Sequence, residues 1–458
     1  MLAIGLLGLE GGVEGQAADQ HPTVSLLAEV IRLDTSNPPG REGLVAELLA
    51  PRFRALGFEV DIIPTPEPGK AHFIARLRGD GSKRPVLLAA HADVVGVERE
   101  KWTLDPFAGV VRDGFVSGRG ALDFKGGLAV FAQAVLRLAE RRVPLSRDVI
   151  FLAEADEESG RYNTTWLAGS HWAKIDAEFA LNEGGWIIKG ADGRVKYVSI
   201  STADKSSVPA IVTARGTSTH SSMPRPDSAI FALSRAMARL STYETEVQLS
   251  PLTRGFFETL HRTSDPPLAT HFRNITGNNR ERVREADRAI SVDPLLHALL
   301  RNTFAPVLLN AGFRGNVIPG SAQATINLRL LPGVDPHDVV RELQGVIADP
   351  QVEVRLVNPQ AGPSKALPSS QFTDLYRALE REAKVEFPGA EVTPYLFQAG
   401  TDAGAWRSRG VPVYGIYPYP IDAEDLTRMH GNDERVSIES LRQGTEMIYR
   451  TLVAVAAR

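Results

Sequence analysis

The chain has 458 residues, with 51 Lys and Arg against 55 Asp and Glu, a net charge of −4, and no cysteine. That length suggests about two domains. The charge balance leaves no basic excess for phosphates, which excludes nucleic acid as a partner. The missing thiols exclude disulfides, thiolate metal sites and cysteine nucleophiles. No apolar run reaches the ~20 residues of a membrane span.

Residues 1–20 stand apart as a tail or leader. Leu2 to Leu9 is apolar and Gly15-Gln16-Ala17-Ala18 is rich in small residues, but no basic residue precedes the run. The segment fits an atypical leader or a plain tail, and leaves cytoplasmic residence or export open. From there the periodicity predicts helices over Val24 to Leu33 and Glu42 to Leu56, each stopped by glycine or proline. Strands follow at Glu59 to Ile63, His72 to Leu77 and Val86 to Ala90, then a helix from Gly127 to Arg141 and strands at Val149 to Ala153 and Phe179 to Leu181. Strands alternating with helices predict an α/β fold with helices on both sheet faces. Residues 206–357 read differently: strand Ala210 to Ala214, helix Ser228 to Leu240, strand Ala322 to Leu330, helix Asp338 to Ile347, strand Val352 to Leu356. That pattern predicts a small α+β domain inserted into a larger one formed by 21–205 and 358–458. The larger domain resumes with helix Thr373 to Lys384, strand Val411 to Tyr417 and helix Ile438 to Ala457.

In open α/β sheets ligands sit at the carboxyl ends of strands. Reactive residues stand at those ends here. Val86 to Ala90 runs into His91-Ala92-Asp93, Val149 to Ala153 into Glu154-Ala155-Asp156-Glu157-Glu158, and Phe179 to Leu181 into Asn182-Glu183. Between them lies Gly118-Arg119-Gly120-Ala121-Leu122-Asp123, and late in the chain comes Met429-His430-Gly431. Taken singly, His91-x-Asp93 reads as a core histidine pair and Asp156-Glu157-Glu158 as a solvated acidic turn. Their coincidence at one sheet edge changes that reading. Packed carboxylates repel and are costly to bury unpaired, and divalent cations remove both penalties. Imidazole with carboxylate suits zinc, with cobalt or manganese as substitutes. The number of ligands suggests two ions: His91 and Glu183 on one, Glu158 and His430 on the other, Asp123 between. Asp93 would fix the His91 ring. Glu157 and Glu158 are adjacent and, if the backbone there is extended, point apart, leaving Glu157 as general base for metal-assisted hydrolysis.

These motifs, with Gly120-Ala121-Leu122-Asp123-Phe124-Lys125-Gly126-Gly127 and Glu183-Gly184-Gly185, resemble the M20 metallopeptidases over nearly the whole chain. The resemblance implies a mixed-sheet zinc-hydrolase catalytic domain with an inserted ferredoxin-like lid, which often mediates homodimerisation. It implies two Zn2+ ions: His91, Asp123 and Glu183 on one, Asp123, Glu158 and His430 on the other. Glu157 resembles the general base and Asp93 the residue orienting His91. In the lid, Gly216-Thr217-Ser218-Thr219-His220 matches the segment whose histidine stabilises the oxyanion, commonly in the partner subunit's site. Asn316 and Arg329 match lid positions that grip substrate, and Gly400-Thr401-Asp402 a loop that contacts the substrate carboxylate. Asp93-Val94-Val95, Trp102, Pro106-Phe107, Arg301-Asn302-Thr303-Phe304 and Tyr417-Pro418 are similar to the carboxypeptidase S and N-acyl-amino-acid hydrolase branch, as is the long stretch from Leu240 to Arg301. Phe124 stands where an aspartate often occurs, and Ala203-Asp204-Lys205 where many relatives place a glutamate before the lysine.

The expected reaction is cleavage of the amide next to a C-terminal amino acid, in a short peptide or an N-acyl-amino acid. The alternatives are an aminoacylase-like deacylase or dipeptidase for one small metabolite, and a catalytically silent binding protein of the same fold.

Overall fold

The computed structural model describes residues 21–458, so the leader-like segment lies outside the described residues. A ten-stranded mixed sheet forms the centre. Its order is Glu59–Pro64, Ala71–Leu77, Val149–Glu154, Val86–His91, Phe179–Asn182, Val413–Gly415, Val195–Asp204, Ile187–Lys189 and Pro420–Ile421, with Glu391–Phe397 paired parallel to Val195–Asp204. The central strands Val149–Glu154, Val86–His91, Phe179–Asn182 and Val413–Gly415 run parallel. They are buried on both faces, which is why their sequences are unbroken apolar runs rather than alternations. Successive residues still serve opposite cores. Val86, Leu88 and Ala90 face the cluster built with helices Lys125–Glu140 and Ile438–Ala456. Leu87 and Ala89 face the cluster that holds Trp406 and Leu167. All strands of this parallel group therefore end on the same edge, which gathers the chemistry predicted there.

A second, antiparallel sheet has four strands in the order Thr303–Ala311, Ser321–Leu330, Ser206–Arg215, Val352–Leu356. With helices Ala229–Leu240 and Pro336–Ile347 this is the βαββαβ, ferredoxin-like arrangement. Strand Ser321–Leu330 alternates strictly. Ala322, Ala324, Ile326, Leu328 and Leu330 are buried against the two helices, while Gln323, Asn327 and Arg329 lie on the other face. The sequence pattern missed the edge strand Thr303–Ala311, which is solvent-exposed along most of its length. It also missed Val195–Asp204 and Glu391–Phe397, and the helices Pro251–Thr263, Leu268–Ile275, Arg280–Ile290 and Pro294–Leu300. Although these helices fall within 206–357, they bury Phe256, Phe257, Phe272, Ile290 and Leu299 in the core of the large sheet. No helix among the described residues is long and apolar enough to cross a membrane.

Candidate metal centre

His91 is the last residue of its strand and is 1% exposed. Its Nε2 lies 3.2 Å from Asp123 Oδ1 and 3.4 Å from Glu183 Oε2. Glu183 directly follows strand Phe179–Asn182. Asp123 comes from the loop before helix Lys125–Glu140, and its other oxygen, Oδ2, lies 3.0 Å from His430 Nε2. The same His430 nitrogen is 3.3 Å from Glu158 Oε1. Ligand atoms of His91, Asp123 and Glu158 lie within 4.8 Å of one another, and so do those of His91, Glu157 and Glu183. The structure thus brings together His91, Asp123, Glu157, Glu158, Glu183 and His430, from five separate stretches of chain.

Three local devices place them. The loop to Asp123 turns at Gly120 with φ 87°, where a Cβ would meet Val94 Cγ1 at 2.8 Å, so glycine is required. His430 itself has a left-handed backbone, φ 57°, in a loop set against the Asp123 loop by the three-stranded sheet Arg435–Ser437, Phe115–Ser117, Val110–Arg112. Glu157 and Glu158 sit in a turn opened by Asp156 at φ 68°. The chain is not extended at these glutamates: a tight turn, not a strand pleat, directs them.

Asp93 also departs from its expected role. The His91 Nδ1 partner is the backbone carbonyl of Asp93 at 2.9 Å, while the nearer carboxylate oxygen is 3.6 Å away. That carboxylate accepts instead the N–H groups of Glu157 at 3.2 Å and Glu158 at 3.0 Å. Tyr417, quoted above only as part of a branch likeness, is a member of the cluster that spacing gave no reason to include. Its buried hydroxyl lies 3.1 Å from Asp123 Oδ1 and 3.2 Å from Glu183 Oε2, and Trp186 stacks on its ring at 4.4 Å.

The electrostatics are those of crowded acids. Burial, and next the charge of Glu183, raise the Glu157 carboxyl well above its ordinary range. Burial pushes Glu183 up to about 7 against the pull of His91. The carboxylates of Asp123, 3.0 Å away, and Glu158, 3.3 Å away, push His430 up to about 10. Burial would lower His91, but the charge of Glu183 and the neighbouring carboxylates of Asp123 and Asp93 raise it well above its ordinary value. Glu158 Oε1 is buried without a hydrogen bond among the described residues. A set of imidazole and carboxylate donors with an unsatisfied acceptor fits divalent metal.

The cluster floors a cavity of about 840 Å³. Its walls include Arg329 and Ser207 from the open face of the second sheet, Trp186 and Phe397, and Leu295 from helix Pro294–Leu300. Thr401 lines it too, but its hydroxyl donates to Asp204 Oδ2 at 2.6 Å, which commits that proton away from a ligand. His220 and Asn316 are not in the cavity wall. They sit together on the two-stranded ribbon Thr219–His220 with Val317–Ile318, where Ser221 N–H donates to Asn316 O and His220 is exposed.

Residues 87–454 match Peptidase family M20/M25/M40. The chain is 31% identical over 384 residues to probable carboxypeptidase S-like 2 of Dictyostelium discoideum, covering 81% of this chain and 72% of that protein. It is 29% identical over 390 residues to N-fatty-acyl-amino acid synthase/hydrolase PM20D1 of Homo sapiens, covering 83% and 76%. The fold is similar to that of an M20 family metallo-carboxypeptidase from Sulfolobus solfataricus, with TM-score 0.70 at 18% identity over 95% of this chain and 99% of that one. The chain belongs to peptidase family M20/M25/M40, and is a metal-dependent peptidase or amidohydrolase.

Proposed function

We propose that the protein is a dizinc hydrolase that cleaves the amide next to a C-terminal amino acid, in N-acyl-amino acids or short peptides. One observation carries the reading: the two oxygens of Asp123 face two different histidines, Oδ1 toward His91 and Oδ2 toward His430. That is the arrangement of a carboxylate shared by two ions. His91, Asp123 and Glu183 would hold one, and Asp123, Glu158 and His430 the other. Bound there, zinc supplies Lewis-acid polarisation of the scissile carbonyl and makes water more acidic. Cobalt or manganese would serve the same donors.

Glu157 takes the proton of the attacking water and returns it to the leaving amine. Its environment suits that exchange, since burial and Glu183 raise its proton affinity. The Arg329 guanidinium has no hydrogen-bond or ion-pair partner among the described residues and lines the cavity, so it is placed to receive a substrate carboxylate. Trp186, Leu295, Phe397 and Met429 give the same cavity apolar wall, which favours a substrate with an apolar group beside the amide. The four-stranded sheet with helices Ala229–Leu240 and Pro336–Ile347 would act as the lid and as the contact of a homodimer, with His220 and Asn316 reaching a site from the partner subunit or on closure.

The test is a panel of N-acyl-amino acids and dipeptides incubated with zinc-loaded protein, with bound metal counted by elemental analysis. The expected result is release of the free amino acid, about two ions per chain, and a loss in kcat of about a hundredfold or more in Glu157→Gln. No turnover on any substrate in any metal form, or full activity in Glu157→Gln, would overturn the reading.

A further inference from the structure

Asn37 lies outside the metal cluster, in the turn after helix Pro22–Ile31. Its backbone is strapped to the segment that follows His91. Asn37 N–H donates to Val94 O at 2.9 Å, Val94 N–H to Thr35 O at 3.2 Å, and the Thr35 hydroxyl to Ala92 O at 2.7 Å. The side chain is 7% exposed, and its single amide nitrogen donates to two carboxylates at once: Asp93 Oδ2 at 2.8 Å and Asp156 Oδ1 at 2.8 Å. Both acids are fully buried. Turning the amide over would set its oxygen against two anions, so charge alone fixes its orientation.

Each carboxylate governs one part of the turn that carries the glutamates. Asp93 accepts the N–H groups of Glu157 and Glu158. Asp156 opens the turn with a left-handed backbone, and its carboxylate also accepts from Tyr162 N–H and from the buried Lys70 ammonium. A left-handed aspartate persists only where its surroundings over-determine it. Lys70 neutralises Asp156 from one side, and Asn37 joins it to Asp93 from the other.

We infer that Asn37 is a positioning residue, which aims Glu157 and Glu158 by clasping Asp93 to Asp156. The inference rests on the roles proposed above for those two glutamates. Without the amide, two buried carboxylates face each other with no donor between them, and they separate. The turn hangs from both, so Glu158 leaves the ion it would ligate and Glu157 leaves the water. Arg329 is on the other sheet and does not move. Metal affinity and kcat therefore fall while KM stays.

The experiment uses the isosteric Asn37→Asp, which adds a third acid, and Asn37→Ser, which leaves room for water. Zinc affinity is measured on metal-stripped protein by competition with a chelator, and kcat and KM on the best substrate of the panel. The expected result is zinc bound about tenfold or more weakly and kcat about tenfold or more lower, with KM within about threefold. Zinc affinity or kcat within about threefold of the parent, or kcat and KM changing together, would overturn the inference. If Asn37→Asp fails to fold, Asn37→Ser decides. If the parent hydrolyses nothing, the proposed function falls, but zinc affinity still decides on Asn37.

Discussion

Arg119 and Glu434 meet 2.7 Å apart, and both are buried. Glu434 also accepts the N–H groups of Gly120, Leu122 and Asp123, while Arg119 donates to Gly431 O at 2.7 Å. The pair thereby staples the loop that ends at Asp123 to the loop that carries His430. Glu434→Gln leaves Arg119 buried with no counter-charge, which costs about 3 kcal/mol. Urea unfolding of metal-stripped protein should register that loss.

His72 gives a pH dependence with a definite sign. It is buried, its Nε2 bonds Tyr162 O at 2.9 Å and its Nδ1 accepts Ala155 N–H at 3.1 Å, so both nitrogens are satisfied in the neutral ring. Burial lowers it to about 4 from an unfolded value of 6.5. Above 6.5 neither state binds the proton and stability is flat. Between 6.5 and 4 only the unfolded chain binds it, so stability falls as pH falls, by about 3 kcal/mol in all. The difference in unfolding free energy between the parent and His72→Gln, followed across pH 7 to 4, should show that slope in the parent alone.

Metal binding should release protons. His430 sits up at about 10 through Asp123 and Glu158, and His91 is raised well above its ordinary value. With its proton held up to about 10, the His430 imidazole carries a proton at pH 7 to 8 in the metal-free cluster, and a ligating imidazole must be neutral. Apparent zinc affinity should therefore rise with pH through this range. Calorimetric titration in two buffers of different ionisation enthalpy should find at least one proton released per chain.

Arg329 pairs in register with Ser207 on the open face of the second sheet, and both line the cavity. Arg329→Met should raise KM about tenfold or more for substrates with a free carboxylate, with kcat little changed. The corresponding carboxamides should be indifferent to the substitution. Steady-state kinetics on matched acid and amide substrates make the comparison.

What was legible in the sequence is what burial writes locally. Val86–His91 and Val149–Glu154 are buried on both faces, so their apolar runs are unmistakable and their polar last residues fall on one edge. Val195–Asp204 interleaves Ser199, Ser201 and Thr202 with its apolar residues, and all three are buried, the Ser199 hydroxyl against the backbone of Trp186 and that of Ser201 against Ala203 O. No local period announces such a strand. The same holds around the site. Asn37 precedes two prolines, a local signal for nothing more than a helix stop, and Asp156-Glu157-Glu158 taken singly reads as a solvated acidic turn. Their meaning lies in contacts 119 positions apart, Asn37 to Asp156.

The helices between Pro251 and Leu300 interrupt the sequence of the small sheet yet pack in the large core. The polypeptide therefore crosses between the two cores four times: after Asp204, after Leu240, after Leu300 and after Leu356. Two straps would let the smaller body swivel freely. With four, any shift of the smaller sheet relative to Asp123 has to bend all four connections together.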